Sequence, residues 1–226
     1  MKHLIRTFGR IHGKKLSKRQ ADLVATLLPK LLPGALPSGI RILEIGFGAG
    51  EHMVHLLQNP DFYVVGAEPF MNGVASLLSK IEGSPALNRL AVWPGDVREY
   101  MGNNSDKFDL IYILHPDPWP KAKHEKRRLL SREFLAALSG ILSPGGLIVL
   151  GTDHRSYFEW ARSEIEASNF MILNKDENFA PALGLSTRYC VKNKFGSERP
   201  FYFVLLRRGD DLPSPERLAR LDLTLA

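Results

Sequence analysis

One cysteine, Cys190, stands in 226 residues. A single thiol excludes an internal disulfide framework and fits a reducing compartment. No apolar run approaches the ~20 residues that a helix needs to cross a bilayer. The basic start, MKHLIRTFGRIHGKK, lacks the apolar core of a secretory signal. These absences lead us to expect a cytoplasmic protein with no membrane partner. His and acid spacings form no ligand cluster, so no metal is expected. Negative charge is missing where positive charge is dense. Residues 1–20 hold Lys2, Arg6, Arg10, Lys14, Lys15, Lys18 and Arg19 with no acid, and 121–132 hold Lys121, Lys123, Lys126, Arg127, Arg128 and Arg132 against Glu125 alone. Either segment by itself reads as a solvated face or a tail. Both together, on a chain of net charge +6, point to a polyanion such as nucleic acid.

What the chain does have is alternation. IRILEIG (40–46) is a short apolar run ending at glycine and predicts a buried strand, followed by a helix over about 49–58. FYVVGAE (62–68) predicts a second strand and 71–81 a second helix. NRLAVWPGD (88–96) and KFDLIYILHPD (107–117) predict a third and a fourth strand, the fourth richest in apolar residues and hence central. Helical spacing then runs over 124–142 through Leu129, Leu130, Phe134, Leu138, Ile141 and Leu142. SPGG (143–146) ends it, and LIVLGTD (147–153) predicts a fifth strand. Strands spaced by helices imply right-handed crossovers and a parallel sheet covered on both faces. Past a helix near 155–168, FMILNKDE and RPFYFVLLRR read as strands joined by a polar segment, an antiparallel hairpin on the sheet edge. The expectation is one domain over 1–226. A basic arm and a helix over 17–32 fill residues 1 to about 35, and a short helix follows Pro213.

EIGFGAG (44–50) closes the first strand. Gly46, Gly48 and Gly50 let the backbone turn tightly and approach a ligand with no Cβ in the way. The following helix start adds oriented N–H groups. In open α/β sheets the ligand lies across the carboxyl ends of the strands. Glu68, ending the second strand, can accept both hydroxyls of a ribose. Asp96, after the third, can accept an adenine amino group. Glu44, just before the turn, can meet a cationic group or orient the loop. That set describes adenosine without a pyrophosphate. A dinucleotide site, and with it a nicotinamide-dependent oxidoreductase, prefers G-x-G-x-x-G. The G-x-G-x-G found here, with an acid two residues before the first glycine, is the usual form in S-adenosylmethionine enzymes. The plainer alternative is a tight turn whose acids cap helices. The expected fold class is α/β: a Rossmann-like class I S-adenosylmethionine-dependent methyltransferase, mostly parallel, with a C-terminal antiparallel hairpin. S-adenosyl-L-methionine is the expected cofactor.

LHPDPWPKAKHEKRR (114–128) sets a carboxylate between Pro116 and Pro118, then a tryptophan, then dense positive charge. PDPW (116–119) followed by KAKHEKRR (121–128), with GTD (151–153) and TRY (187–189) in order and at suitable spacing, resembles the bacterial tRNA (guanine-N7)-methyltransferase family. The resemblance runs from the basic arm to RPFYFV. It implies methyl transfer from S-adenosylmethionine to N7 of guanine 46 in the variable loop of tRNA. It implies that Asp117 is the active-site residue; next to the expected methyl, Asp117 also counts among the cofactor contacts. Lys121, Asp153, Thr187, Arg188 and Tyr189 are implied to bind the target nucleotide, and Lys123, His124, Lys126, Arg127 and Arg128 to contact RNA. Plainer roles stand beside these: packing for Trp119, a surface position for His124, and a helix N-cap for Asp153 ahead of HRSYFEWA. Two departures matter. His115 stands where the family usually has an aromatic. Cys190 stands where it has the glutamate of T-[KR]-[FY]-E, a loss that Glu198 could make good.

The chemistry fits these residues. N7 of guanine carries an in-plane lone pair and no proton, so its attack needs no general base, and Cys190 needs no nucleophilic role. Catalysis is then largely positioning, with reacting atoms held about 3–3.5 Å apart. An acid at the base edge stabilises the charge that develops. One rival is a methyltransferase for another RNA or a small molecule; the basic segments speak against the small molecule. Another is a non-catalytic RNA-binding module; intact Glu68, Asp96 and Asp117 speak against it. The quaternary state stays open between monomer and homodimer.

Overall fold

A computed structural model describes residues 13–174 and 200–223. The chain divides into two compact units, Met1–Asp106 and Lys107–Ala226.

In the first unit, α1 (Lys18–Thr26) opens on a capping box. The Ser17 hydroxyl accepts the Gln20 N–H and the Gln20 side chain accepts the Ser17 N–H, each at 3.2 Å. The helix expected over 17–32 stops at Thr26, because Pro29 has no N–H for an i−4 bond. Leu28–Lys30 form a single 3-10 turn instead. Next come β1 (Ile40–Ile45), α2 (Glu51–Leu56), β2 (Phe62–Ala67), α3 (Met71–Ile81), β3 (Leu90–Trp93) and α4 (Val97–Asn103). The strands pair in parallel in the order β3-β2-β1, with Ile42 opposite Val64 and Val64 opposite Leu90. Ile42, Leu43, Val64, Val65 and Val92 have no exposed surface, as strands covered on both faces require. α3 lies where its spacing puts it and buries Val74, Ala75, Leu77 and Leu78. Nothing in the sequence spacing foreshadows α4; its 7 residues are too few for a helical period to show.

The second unit contains β4 (Phe108–Leu114), α5 (Arg132–Ile141), β5 (Leu142–Thr152), α6 (Arg155–Glu166), β6 (Phe170–Ile172), β7 (Phe201–Arg207) and α7 (Pro215–Arg220). β4 and β5 are parallel, while β7 runs antiparallel to both β5 and β6, giving the order β4-β5-β7-β6. The expected hairpin is β6 with β7. The helix expected over 124–142 is two pieces. Ala122–Arg127 make a 3-10 segment. Ser131 then starts α5, its hydroxyl accepting the Phe134 N–H at 3.2 Å. SPGG does not end that helix; it lies inside β5. Phe108 stands opposite Leu142 and Leu110 opposite Leu147, so residues 143–146 bulge out of the ladder, through Gly145 at φ +65. Among the described residues no helix is long and apolar enough to cross a membrane, and no group of three or more His, Cys, Asp or Glu could hold a metal ion.

Candidate active site

In the first unit β1 delivers the glycine loop. Gly46 and Gly48 are left-handed (φ +74 and +57), and a Cβ added to either would enter open space. A turn that demands glycine and leaves room above its backbone is a cradle for a ligand that approaches closely, and S-adenosylmethionine fits that description. Gly50 serves packing: its Cβ would lie 2.6 Å from Cδ1 of Leu77 on α3. The buried Glu68 ties the cradle to the end of β2. Its Oε2 accepts the Gly48 N–H at 2.7 Å and its Oε1 the Phe70 N–H at 2.8 Å. From below, Gly73 of α3 allows contact that no other residue would, since its Cβ would sit 2.2 Å from the Gly48 carbonyl oxygen. The buried Glu44 has its Oε2 2.9 Å from Nδ1 of His52 on α2, so it orients the loop through the helix that follows. Asp96 caps α4: its Oδ1 accepts the Arg98 N–H at 2.9 Å and Nε at 2.8 Å, and its Oδ2 accepts Nη2 at 2.6 Å. That is a charge-assisted fork, and it is the helix-capping role the sequence left open.

In the second unit β4 runs into the proline-bounded acid. His115 (φ 51) and Trp119 (φ 42) are both left-handed, a costly conformation for residues with a Cβ. They bracket Pro116, Asp117 and Pro118, whose rings fix two further φ angles. Asp117 remains exposed, and the protein crowding one side of it raises its carboxyl above the ordinary Asp range by desolvation. At the front of the turn the His115 N–H donates to the Gly151 carbonyl at 2.7 Å. The buried His115 ring places Nδ1 3.5 Å from Oδ1 of Asp153. Burial pushes the Asp153 carboxyl up, but the hydrogen bond and charge from His115 outweigh it, and the net direction is down. Asp153 is not a helix cap; His154 holds the N-cap position of α6.

The basic run divides by exposure. Lys121, Lys123 and Lys126 are exposed. The half-buried Arg127 lays its guanidinium 5.0 Å from the Trp119 ring centroid, and His124 meets that ring edge-on at 5.6 Å. Trp119 therefore packs within its own loop. Desolvation, then the charges of Arg127 and Lys121, lower the His124 pKa below its ordinary value. Arg128, expected among the RNA contacts, is instead buried at 5% exposure. Its Nε donates to the Pro118 carbonyl at 3.0 Å, and its Nη2 lies 3.5 Å from the Trp119 carbonyl. A bulky cation beside the buried Leu130 lies inward, where the loop offers carbonyl acceptors and α6 offers aromatic rings. Thr187, Arg188, Tyr189, Cys190 and Glu198 lie outside the described residues.

Residues 38–197 match the family model described as "Putative methyltransferase". A Caulobacter vibrioides protein named tRNA (guanine-N(7)-)-methyltransferase is 37% identical over 217 residues, spanning 90% of this chain and 95% of its own. The chain belongs to the tRNA (guanine-N7)-methyltransferase family. A relative of the same name from Hyphomonas neptunium is 34% identical over 225 residues, spanning 88% of this chain and 98% of its own. Among solved structures, human methyltransferase-like protein 13 in complex with SAH superposes with a TM-score of 0.55 at 14% identity, over 92% of this chain and 90% of that one. That likeness gives the class I methyltransferase fold.

Two residues of this tRNA (guanine-N7)-methyltransferase family member, Gly73 and His52, escaped the sequence reading, and a third, Arg128, was given a different role there. Gly73 had a signal: a glycine inside a helix costs about 1 kcal/mol relative to alanine, so its presence marks a close approach. His52 had none, since its partner Glu44 lies across the loop. Arg128 was hidden inside a run of like residues, where composition cannot tell an inward cation from an outward one.

Proposed function

We propose that the chain transfers a methyl group from S-adenosylmethionine to N7 of guanine 46 in the variable loop of tRNA, in the cytoplasm. The observation that carries this is the Asp117 turn. It holds an exposed carboxylate between two prolines and two left-handed residues, followed by exposed lysines. When bound, S-adenosylmethionine supplies an electrophilic methyl on sulfonium, which N7 takes with its own lone pair as the carbon–sulfur bond breaks. No proton moves in that step, so no side chain acts as a general base.

The chain's residues bind, orient and balance charge. Gly46 and Gly48 cradle the cofactor, and Glu68, held by the N–H groups of Gly48 and Phe70, accepts the ribose hydroxyls. Asp96 keeps its cap and Arg98 in this reading and takes no adenine. Asp117 stabilises the positive charge that grows on the guanine as N7 gains its methyl. Asp153, whose carboxyl is held below the ordinary Asp value with His115 beside it, accepts from N–H groups of the target base. Lys121 serves the same nucleotide, as do Thr187, Arg188 and Tyr189 by family likeness. Lys123 and Lys126 bind phosphates. The test is to incubate the full chain with methyl-labelled S-adenosylmethionine and an unmodified tRNA transcript, then digest to nucleosides. Label in 7-methylguanosine is expected; label in another nucleoside, or none, overturns the proposal.

A further inference from the structure

We infer that Arg128 is a positioning residue for Asp117 and not one of the cations that hold RNA. The inference rests on the reading of Asp117 given above. The two carbonyls that Arg128 meets belong to Pro118 and Trp119, the residues that follow Asp117. Trp119 is left-handed, a state that persists only where the surroundings over-determine it. Arg128 supplies that constraint by meeting the carbonyl before Trp119 and the carbonyl of Trp119 itself.

The guanidinium is in turn fixed from several sides. Nη1 lies 3.4 Å from Oε1 of Glu125. The plane sits 5.0 Å from the Trp160 ring centroid and 5.8 Å from that of Tyr157, both on α6. Tyr157 is fully buried, and its hydroxyl accepts the Leu130 N–H at 3.4 Å. The acid turn is thus tied through one side chain to a helix packed into the core. A planar fork can lie against rings while donating sideways to carbonyls; an ammonium on a flexible stem cannot do both. A phosphate contact would tolerate lysine, because a point charge satisfies a phosphate. The two roles therefore respond differently to the same substitution.

The experiment uses Arg128→Lys in the full chain, with tRNA affinity, its salt dependence and the single-turnover methylation rate at saturating tRNA and S-adenosylmethionine. A positioning role predicts parental tRNA affinity and salt slope with a rate lower by about 10- to 100-fold, the loss expected of a misplaced reacting group. The same substitution in an Asp117→Asn background should then cost almost nothing further, because Arg128 acts through Asp117. A second variant, Glu125→Gln, withdraws only the exposed partner of Arg128 and should show the same non-additivity with a smaller fall. Loss of affinity at a parental rate, a parental rate and affinity together, or losses that add in the double variants each overturn the inference. If the parent chain makes no 7-methylguanosine, the functional reading fails and takes this one with it; parental activity with any of those outcomes removes Arg128 alone.

Discussion

A carboxylate on a mobile loop loses rotamer and backbone freedom when it engages a ligand, at a cost of about 1–2 kcal/mol per ordered residue. The Asp117 turn has surrendered that freedom in advance, through two prolines and the held residues His115 and Trp119. Asp117→Asn should therefore keep cofactor affinity near that of the parent and lower turnover by about 10²–10³, the range for one oriented electrostatic group. Turnover under saturation and calorimetry of the cofactor check it; parental turnover would remove Asp117 from the mechanism. The pH dependence has a definite sign. Desolvation raises the Asp117 carboxyl, so the stability linked to that shift is present below the ordinary Asp pKa and is lost as pH rises through the raised one. In the role proposed for Asp117, activity should follow its ionised form and fall as pH drops through the raised pKa. The parent should show that acid limb above the ordinary Asp range, and the Asn variant should lack it. Glu68→Ala acts elsewhere. It strips acceptors from the Gly48 and Phe70 N–H groups and should weaken S-adenosylmethionine binding by about 1–3 kcal/mol. tRNA affinity should not follow; unchanged cofactor affinity by calorimetry would contradict the role given to Glu68.

Among the elements, the 3-10 segment Ala122–Arg127 leaves Lys123 and Lys126 exposed and leads into the buried Arg128. A continuous helix through 124–142, as the spacing suggests, would have aligned Leu130 with Phe134 and Leu138 and turned Arg128 to the opposite face. Ser131 interrupts it, because a β-region N-cap must precede α5. The interruption was legible in principle, since a serine followed by a helical run is a start signal, but the apolar residues on both sides masked it. With Arg128 turned inward, the proposed phosphate contacts fall to the exposed lysines. Lys123→Ala with Lys126→Ala should flatten the slope of log affinity against log salt by about 1.4–1.8 units, at 0.7–0.9 per phosphate contact. S-adenosylmethionine affinity should be untouched. A folded double variant with the parental slope would make this segment an ordinary solvated face.

At the scale of the molecule, strand runs carried most of the fold. β1, β2, β4 and β5 are apolar enough to be read directly, and α3 coincides with its periodic stretch. What stayed hidden was made by contacts distant in sequence or by pieces too short for a period: α4, the bulge at Gly145, the pairing of β5 with β7. The site divides the same way. Glycines and acids at strand ends announced Gly46, Gly48, Glu68 and Asp117, because backbone turns and charge leave marks in composition. The contacts that His52, His115 and Arg128 make are visible only once the chain is folded. Position 46 is the most specific part of the account, and one comparison tests it most directly. Two unmodified tRNA transcripts, one with guanine at 46 and one with adenine there, are incubated with the full chain and methyl-labelled S-adenosylmethionine. The guanine transcript should yield labelled 7-methylguanosine and the adenine transcript none; equal labelling of the two would contradict the assignment.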